Sequence, residues 1–353
     1  MGLLQLSEEW VLMFDTSLLD EILVDATIKS EKFEPDLVDL RQPVMARPKE
    51  VSIEDNNLVD IRMDELEINK ISSKSTLDKE ITAIDSTSMT LGRIPDGLVG
   101  VIRTSIVTKR SEEQTQFLER YGPKVIKITN QNRDTLYKNF YTNIFGTTPI
   151  SLSAPDNLKL LDRIRNLYER YIQSELIKKS KCAIILLDGS LIGDSIDNRK
   201  KFIDGMIASA EENNNSLVAI SKFTNLSLKH NRRSILSLLD FQEKASFVGP
   251  LNNYIEQKDS RYCGYIFVAK MSIDGPIFRV DIPKYIKEPQ QIFDNLAGMS
   301  KYYGYPEELK FAHSTCIHSS IEILALQAYA IGKYNMTIEE NLRNMIFAPF
   351  TTG

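Results

Sequence analysis

From residue 80 onward, apolar and polar positions fall into blocks that alternate between two periods. Ile81 to Asp85 is a short β-prone run that ends in an acid and is followed by Ser86, Thr87 and Ser88. Leu98 to Thr108 is a β-branched run suited to a neighbouring strand, and Val125 to Thr129 predicts a third. Between Leu158 and Ile177 the spacing becomes helical, with Leu161, Ile164, Leu167, Tyr168, Tyr171, Ile172 and Leu176 able to share one face. Ala183 to Leu187 is then continuously apolar, the mark of a strand buried on both faces, and it runs into Asp188-Gly189-Ser190. A helix over 194–212 follows, then an apolar strand from Leu217 to Ile220 that ends in Ser221-Lys222. Tyr265–Ala269 and Ile277–Val280 predict a hairpin across Asp274-Gly275, and a last long helix runs from Pro306 or Phe311 to Tyr329. Strands that meet antiparallel first, then alternate with helices, imply a single α/β domain built on a mixed sheet.

The first 79 residues are patterned differently. Val11 to Ile28 predicts one helix, after which Pro35, Pro43 and Pro48 break the chain ahead of a polar, acidic stretch. We therefore divide the chain into an acidic N-terminal extension, 1–79, and a body, 80–353. No internal repeat or low-complexity tract interrupts either part.

Composition narrows the class. With 353 residues, 42% hydrophobic and 26% charged, the chain has ample apolar material for a core. No apolar run is long enough to span a bilayer, and Glu8 and Glu9 stand where a secretory signal would be basic. Cys182, Cys263 and Cys316 lie far apart with no CxxC pair, against a disulfide framework and against a cysteine-based zinc site. The expected location is the cytoplasm, with no membrane contact. The net charge of -5 hides a division: residues 1–80 hold 19 acidic and 9 basic side chains, leaving 29 acids and 34 bases for the rest. An acidic segment joined to a mildly basic body is the kind of asymmetry that accompanies a polyanion partner, although on its own it describes an ordinary mixed surface equally well.

Three predicted strand ends carry groups with chemistry: Asp85, Asp188 and Lys222. In open α/β sheets the ligand site gathers beyond the carboxyl ends of strands. An aspartate on a first strand, a glutamate on an intervening helix, an aspartate on a later strand and a polar group on a final helix is the layout of RNase H-like nucleases. There, shared carboxylates hold divalent cations about 3.5–4 Å apart, and oxygen ligands select Mg²⁺ or Mn²⁺ over softer metals. Glu169 and Glu175 are the helix candidates, and spacing alone does not choose between them.

His313, Cys316 and His318 (HSTCIH) have the look of a zinc cluster, but on a helix His318 falls off the face shared by the other two and no second ligand pair exists. There is no GxxxxGK[ST] phosphate loop, so the chain is not expected to hydrolyse ATP, and no GxGxxG or GxSxG. The basic clusters Lys178-Lys179-Lys181, Arg199-Lys200-Lys201 and Lys229-His230-Arg232-Arg233 flank the proposed site elements and suit either a DNA backbone or a solvated surface.

Taken in order, ITAIDSTS (81–88), AIILLDGSL (183–191), the Ser221-Lys222 pair, the YIFVAK…FRVDIP hairpin (265–283) and GYPEELKFAH (304–313) resemble the NurA nuclease family over roughly residues 80–330. The resemblance implies an RNase H-like core and a homodimer enclosing a channel. It also implies Mn²⁺-dependent endonuclease and 5′-to-3′ exonuclease activity on DNA, and partnership with the hexameric ATPase HerA in end resection. By the same resemblance Asp85 and Asp188 correspond to the family's metal-binding aspartates, Glu169 best fits its helix glutamate with Glu175 in reserve, and His313 corresponds to the histidine of its closing Ala-His pair. Lys222 is expected to neutralise charge on the phosphate. One departure stands out: the family's first aspartate is usually followed by Gly-Ser, here by Ser86-Thr87-Ser88. That departure motivates an alternative, a catalytically altered relative that serves as a DNA-binding or ATPase-docking module; an RNase H-like enzyme acting on RNA is a third reading.

Overall fold

Sheet order, more than any single element, decides where the candidate residues meet. The computed structural model describes residues 58–61, 66–72, 79–110, 116–255, 261–299 and 304–338. The predicted helix Val11–Ile28 lies outside the described residues. In chain order the strands are β1 (Leu58–Val59), β2 (Ile68–Lys70), β3 (Ile81–Ile94), β4 (Gly97–Lys109), β5 (Gln116–Thr129), β6 (Ile184–Asp188), β7 (Asp194–Ser195), β8 (Asn198–Arg199), β9 (Ser216–Ser221), β10 (Ser227–Leu228), β11 (Ser246–Val248), β12 (Gly264–Lys270) and β13 (Ile277–Pro283). The helices are α1 (Arg133–Phe145), α2 (Asn157–Lys179), α3 (Lys200–Glu212), α4 (Pro289–Met299), α5 (Glu307–Cys316) and α6 (Ser320–Tyr334).

Nine strands form one mixed sheet in the order β2-β11-β12-β13-β9-β6-β3-β4-β5. The β3-β4-β5 meander is antiparallel, β3-β6-β9 is parallel, and β13, β12, β11 and β2 continue antiparallel on the far side. An antiparallel trio whose first strand pairs in parallel with a later one, which pairs in parallel with the next, is the RNase H-like arrangement. β2 is hydrogen-bonded into this sheet although it lies N-terminal to residue 80.

Both faces of the sheet are covered, which is why β6 and β9 read as unbroken apolar runs. On one face Leu160, Ile164, Leu167 and Ile172 of α2, with Phe140 of α1 and Ile203 of α3, pack on Ile84, Ile185, Leu187 and Ala219. On the other, Phe293 of α4 and Leu309 and Ala312 of α5 pack on Ala83, Ile184, Leu186, Val218 and Ile220. The outer half of the β3-β4 hairpin carries its own small core, in which Leu91, Val99 and Val101 meet Ala330 of α6 and Met336.

Several sequence boundaries change. The strand expected to end at Asp85 runs on to Ile94. Its polar residues are absorbed by side-chain partners: Ser86 Oγ lies 2.7 Å from Thr104 Oγ1, and Ser88 Oγ donates to Asp162 at 2.8 Å. The helix expected from Asp194 begins only at Lys200, because 194–199 form the β7-β8 hairpin. The last long helix is two helices. Ser319 breaks it, accepting from the Glu322 N–H while the Glu322 carboxylate accepts from the Ser319 N–H, a capping box that starts α6 afresh. The candidate boundaries at Leu98–Thr108, Leu158–Ile177 and the late hairpin agree with β4, α2 and β12-β13 to within a few residues.

Candidate metal centre

Strand alternation puts the first three groups on one face. Ala83, Leu186 and Ile220 point into the core under α4 and α5, so Asp85, Asp188 and Lys222, each two residues further along adjacent parallel strands, face the same way. The parallel β3-β6 pairing ends at Ile84↔Leu187. Asp85 is thus the first residue of β3 beyond its β6 partner, so a residue inside a long strand still behaves as a strand end.

The Asp85 carboxylate is 6% exposed. Oδ1 accepts from the Ser86 N–H at 2.8 Å, and Oδ2 lies 2.6 Å from His313 Nδ1. A carboxylate can only accept, so Nδ1 carries the hydrogen and Nε2 is left facing outward from a half-exposed ring. His313 gets there because α5 lies across β3 and β4. Asp188 Oδ2 pairs with Lys222 Nζ at 2.9 Å.

Glu169 arrives from the opposite face, on α2, where β6 stops beside the continuing β3. Its carboxylate accepts from Gln173 Nε2 at 2.9 Å and from Arg165 Nη1 at 3.3 Å. Burial pushes its carboxyl up to about 7; Asp85 and Asp188 push the same way, while Arg165 and Arg170 oppose them. Glu169 therefore sits within electrostatic range of both aspartates. Glu175, a turn and a half further on, pairs instead with Lys178 at 2.6 Å.

Tyr305, which sequence reasoning passed over, belongs to this group. Its hydroxyl is buried without a hydrogen-bond partner, and burial, Asp188 and Asp85 all raise its pKa, so it stays a donor. Lys222 Nζ lies 5.0 Å from its ring centroid. The residue was in view within GYPEELKFAH, but nothing local marks a tyrosine as facing two aspartates.

A divalent cation fits this donor set. Asp85 and Asp188 face the same way from adjacent parallel strands, with Glu169 in electrostatic range of both, and an added positive charge would relieve the repulsion among them. Asp85, His313 and Cys316 also bring ligand atoms to within 4.8 Å of one another. Burial, Asp85 and Glu169 all push the Cys316 thiol up, and it donates to the His313 carbonyl at 3.1 Å. Carboxylate oxygens and an imidazole nitrogen are donors that a divalent cation accepts. His318, expected on the same helix but off the shared face, lies instead in the break between α5 and α6.

The comparisons agree with this architecture. The NurA domain matches residues 79–316, about two thirds of the chain. The crystal structure of the NurA nuclease from Sulfolobus solfataricus superposes with a TM-score of 0.51 at 16% identity, over 77% of this chain and 89% of that one. Endonuclease V from Ciona intestinalis, solved with a 24mer DNA containing an inosine followed by a ribo-adenosine, gives a TM-score of 0.36 at 12% identity, over 72% of this chain and 91% of that one. No curated protein sequence matches the chain. Among the described residues no helix is long and apolar enough to cross a membrane. With the domain match covering all the candidate site residues and a shared fold beneath it, the chain belongs to the NurA nuclease family.

Proposed function

We propose that the protein is a metal-dependent DNA nuclease with single-strand endonuclease and 5′-to-3′ exonuclease activity. The observation that carries the reading is that Asp85 and Asp188 face the same way from adjacent parallel strands, with Glu169 of α2 in electrostatic range of both. These three carboxylates, with His313, would hold Mn²⁺ or Mg²⁺. A divalent cation bound there supplies a more acidic water as nucleophile and charge stabilisation for the scissile phosphate.

The chain's own groups supply the rest. Arg165 and Gln173 fix the Glu169 carboxylate from within α2. His313, with Nδ1–H committed to Asp85, would offer the Nε2 lone pair to the cation, and the Asp85 contact fixes the ring that carries it. Lys222 pairs with Asp188, and its ammonium would be placed to neutralise charge on a phosphate bound beside that carboxylate. The Tyr305 hydroxyl, still unpaired, is a second donor for a phosphate oxygen.

We place this activity in DNA end resection, with a HerA-like hexameric ATPase as partner and a homodimer as the working unit. The exposed side chains Ile317, Ile321, Leu324 and Ile331 at and beyond the helix break offer an apolar face for assembly. The rival reading, a docking module without catalysis, rests on Ser86-Thr87-Ser88. Those residues continue β3 without a turn, and the Ser86 N–H binds Asp85, which favours the enzyme.

The test is incubation of purified protein with labelled single- and double-stranded DNA and RNA in Mn²⁺, Mg²⁺ or EDTA. Metal-dependent DNA cleavage supports the proposal. Binding without cleavage supports the docking module, and cleavage of RNA alone supports the third reading.

A further inference from the structure

The FRVDIP segment helps mark the family but contributes no group to the metal centre. Phe278, Val280 and Ile282 of β13 face the core under α4 and α5, so Arg279 and Asp281 project from the reverse face of the sheet. They are 1% and 2% exposed. Arg279 Nε donates to Asp281 Oδ1 at 2.8 Å and Nη2 to Oδ2 at 3.0 Å, a bidentate pair formed within one strand. The guanidinium also lies over the Tyr262 ring, 5.6 Å from its centroid.

A buried ion pair is a poor source of stability. Desolvating both charges offsets most of their attraction, and apolar side chains of similar volume often do as well or better. The remaining hydrogen bonds suggest a different use. Asp281 Oδ2 also accepts from the Leu191 N–H at 2.9 Å, three residues after Asp188. Arg279 Nη1 reaches Thr224 Oγ1 at 3.4 Å, two residues after Lys222. The loop after Asp188 turns at Gly189 with φ +118°, a conformation that favours glycine; backbone bonds from the Gly189 N–H to Ile220, the Cys263 N–H to Leu191 and the Gly193 N–H to Arg261 hold it as well. In register, Arg279 stands opposite Ser221, the residue before Lys222.

We propose that the Arg279–Asp281 pair is a positioning element that fastens, from beneath the sheet, the two loops that carry Asp188 and Lys222. It rests on the nuclease reading, and it assigns neither residue contact with substrate. An apolar pair would fill the same space but would hold neither loop. Losing an outer partner of a metal ligand typically weakens metal affinity about 10–100-fold, and this tether acts one step further out.

The test replaces the pair with Arg279→Met/Asp281→Leu in the full chain and compares it with the wild type by calorimetric Mn²⁺ titration, amide hydrogen exchange and DNA turnover. We expect a cooperative melt close to that of the wild type, roughly tenfold weaker Mn²⁺ binding, faster exchange at the Leu191 N–H, and kcat reduced more than tenfold with KM for DNA nearly unchanged. A second variant, Arg279→Lys, keeps the charge but not the fork. It should stay folded and lose activity through kcat in the same way, which preserves the test if the double variant fails to fold. Full Mn²⁺ affinity and turnover in a folded variant, beside a competent wild type, overturn the positioning role alone. A wild type that neither binds Mn²⁺ nor cleaves DNA overturns the nuclease reading and this role with it.

Discussion

Asp85 and Asp188 are short polar side chains that end at adjacent strand positions, so truncating them removes charge and little apolar packing, which should separate chemistry from folding. Asp85→Ala or Asp188→Ala is expected to lower Mn²⁺-dependent DNA cleavage by at least about a thousandfold with the melting temperature nearly unchanged; near-normal cleavage by either purified variant would sink the mechanism. Glu169→Gln should match them, whereas Glu175→Gln should cleave like the wild type, because Glu175 is engaged with Lys178. His318 gives a pH signature unconnected with the metal. Both its ring nitrogens are buried without partners, and burial together with Arg103 lowers its pKa to about 4. The folded state holds it neutral while the unfolded chain protonates it near 6.5, so its full contribution is present above 6.5 and is lost as pH falls towards 4. His318→Leu should therefore gain on the wild type across that window, by at most about 3 kcal/mol, in urea unfolding at pH 7 and pH 4.5. A gap that does not change with pH would rule this out. Asp85, Asp188 and Lys222 could be picked out from sequence because each follows an apolar run, whereas His313 came only from the resemblance of GYPEELKFAH to the family. Tyr305 could not, since its role comes only from the neighbours that tertiary folding gives it.

Among the elements, β6 and β9 were plain in the sequence because burial on both faces leaves no polar interruption. β2 and β11, three residues each, are too short to show a period at all. β3 was cut short on paper because Ser86, Thr87, Ser88 and Thr90 look like a loop when their cross-strand partners are unseen. The break at Ser319 had a local signature, Ser-x-x-Glu, but the apolar spacing on either side ran across it. That cap has a measurable value. Ser319→Ala removes the acceptor for the Glu322 N–H and should cost about 1 kcal/mol in denaturant unfolding. It should also loosen Arg103, whose Nη2 is held 2.9 Å from Glu322. No loss of stability would mean that packing, not capping, starts α6.

At the scale of the whole molecule, assembly and the acidic extension remain as proposals with direct tests. Light scattering at micromolar concentration should give a mass near twice 40.2 kDa; a strict monomer would remove the channel while leaving the chemistry. Deletion of the extension should stop before Leu58, because β1 and β2 pair with β10 and β11 of the body. Without residues 1–57, we expect weaker binding to the second subunit or to the ATPase, through loss of Val11, Phe14, Leu18, Leu19 and Ile22. Tighter DNA binding with both associations intact would instead identify an autoinhibitory tail. Charge repulsion alone is a weak basis for that outcome, since it is screened beyond about 10 Å at 0.1 M salt.

The pairing of Ile81 with Ile184 closes a loop of about a hundred residues, and His313 reaches Asp85 across more than two hundred. Contacts so distant along the chain form late, and a growing polypeptide orders its N-terminal parts first. Asp85 leaves the ribosome long before Asp188, and Asp188 long before the helix that bears His313. During synthesis the nascent chain thus holds isolated carboxylates and no assembled centre. The centre proposed here would therefore assemble only once the last of its elements has been made.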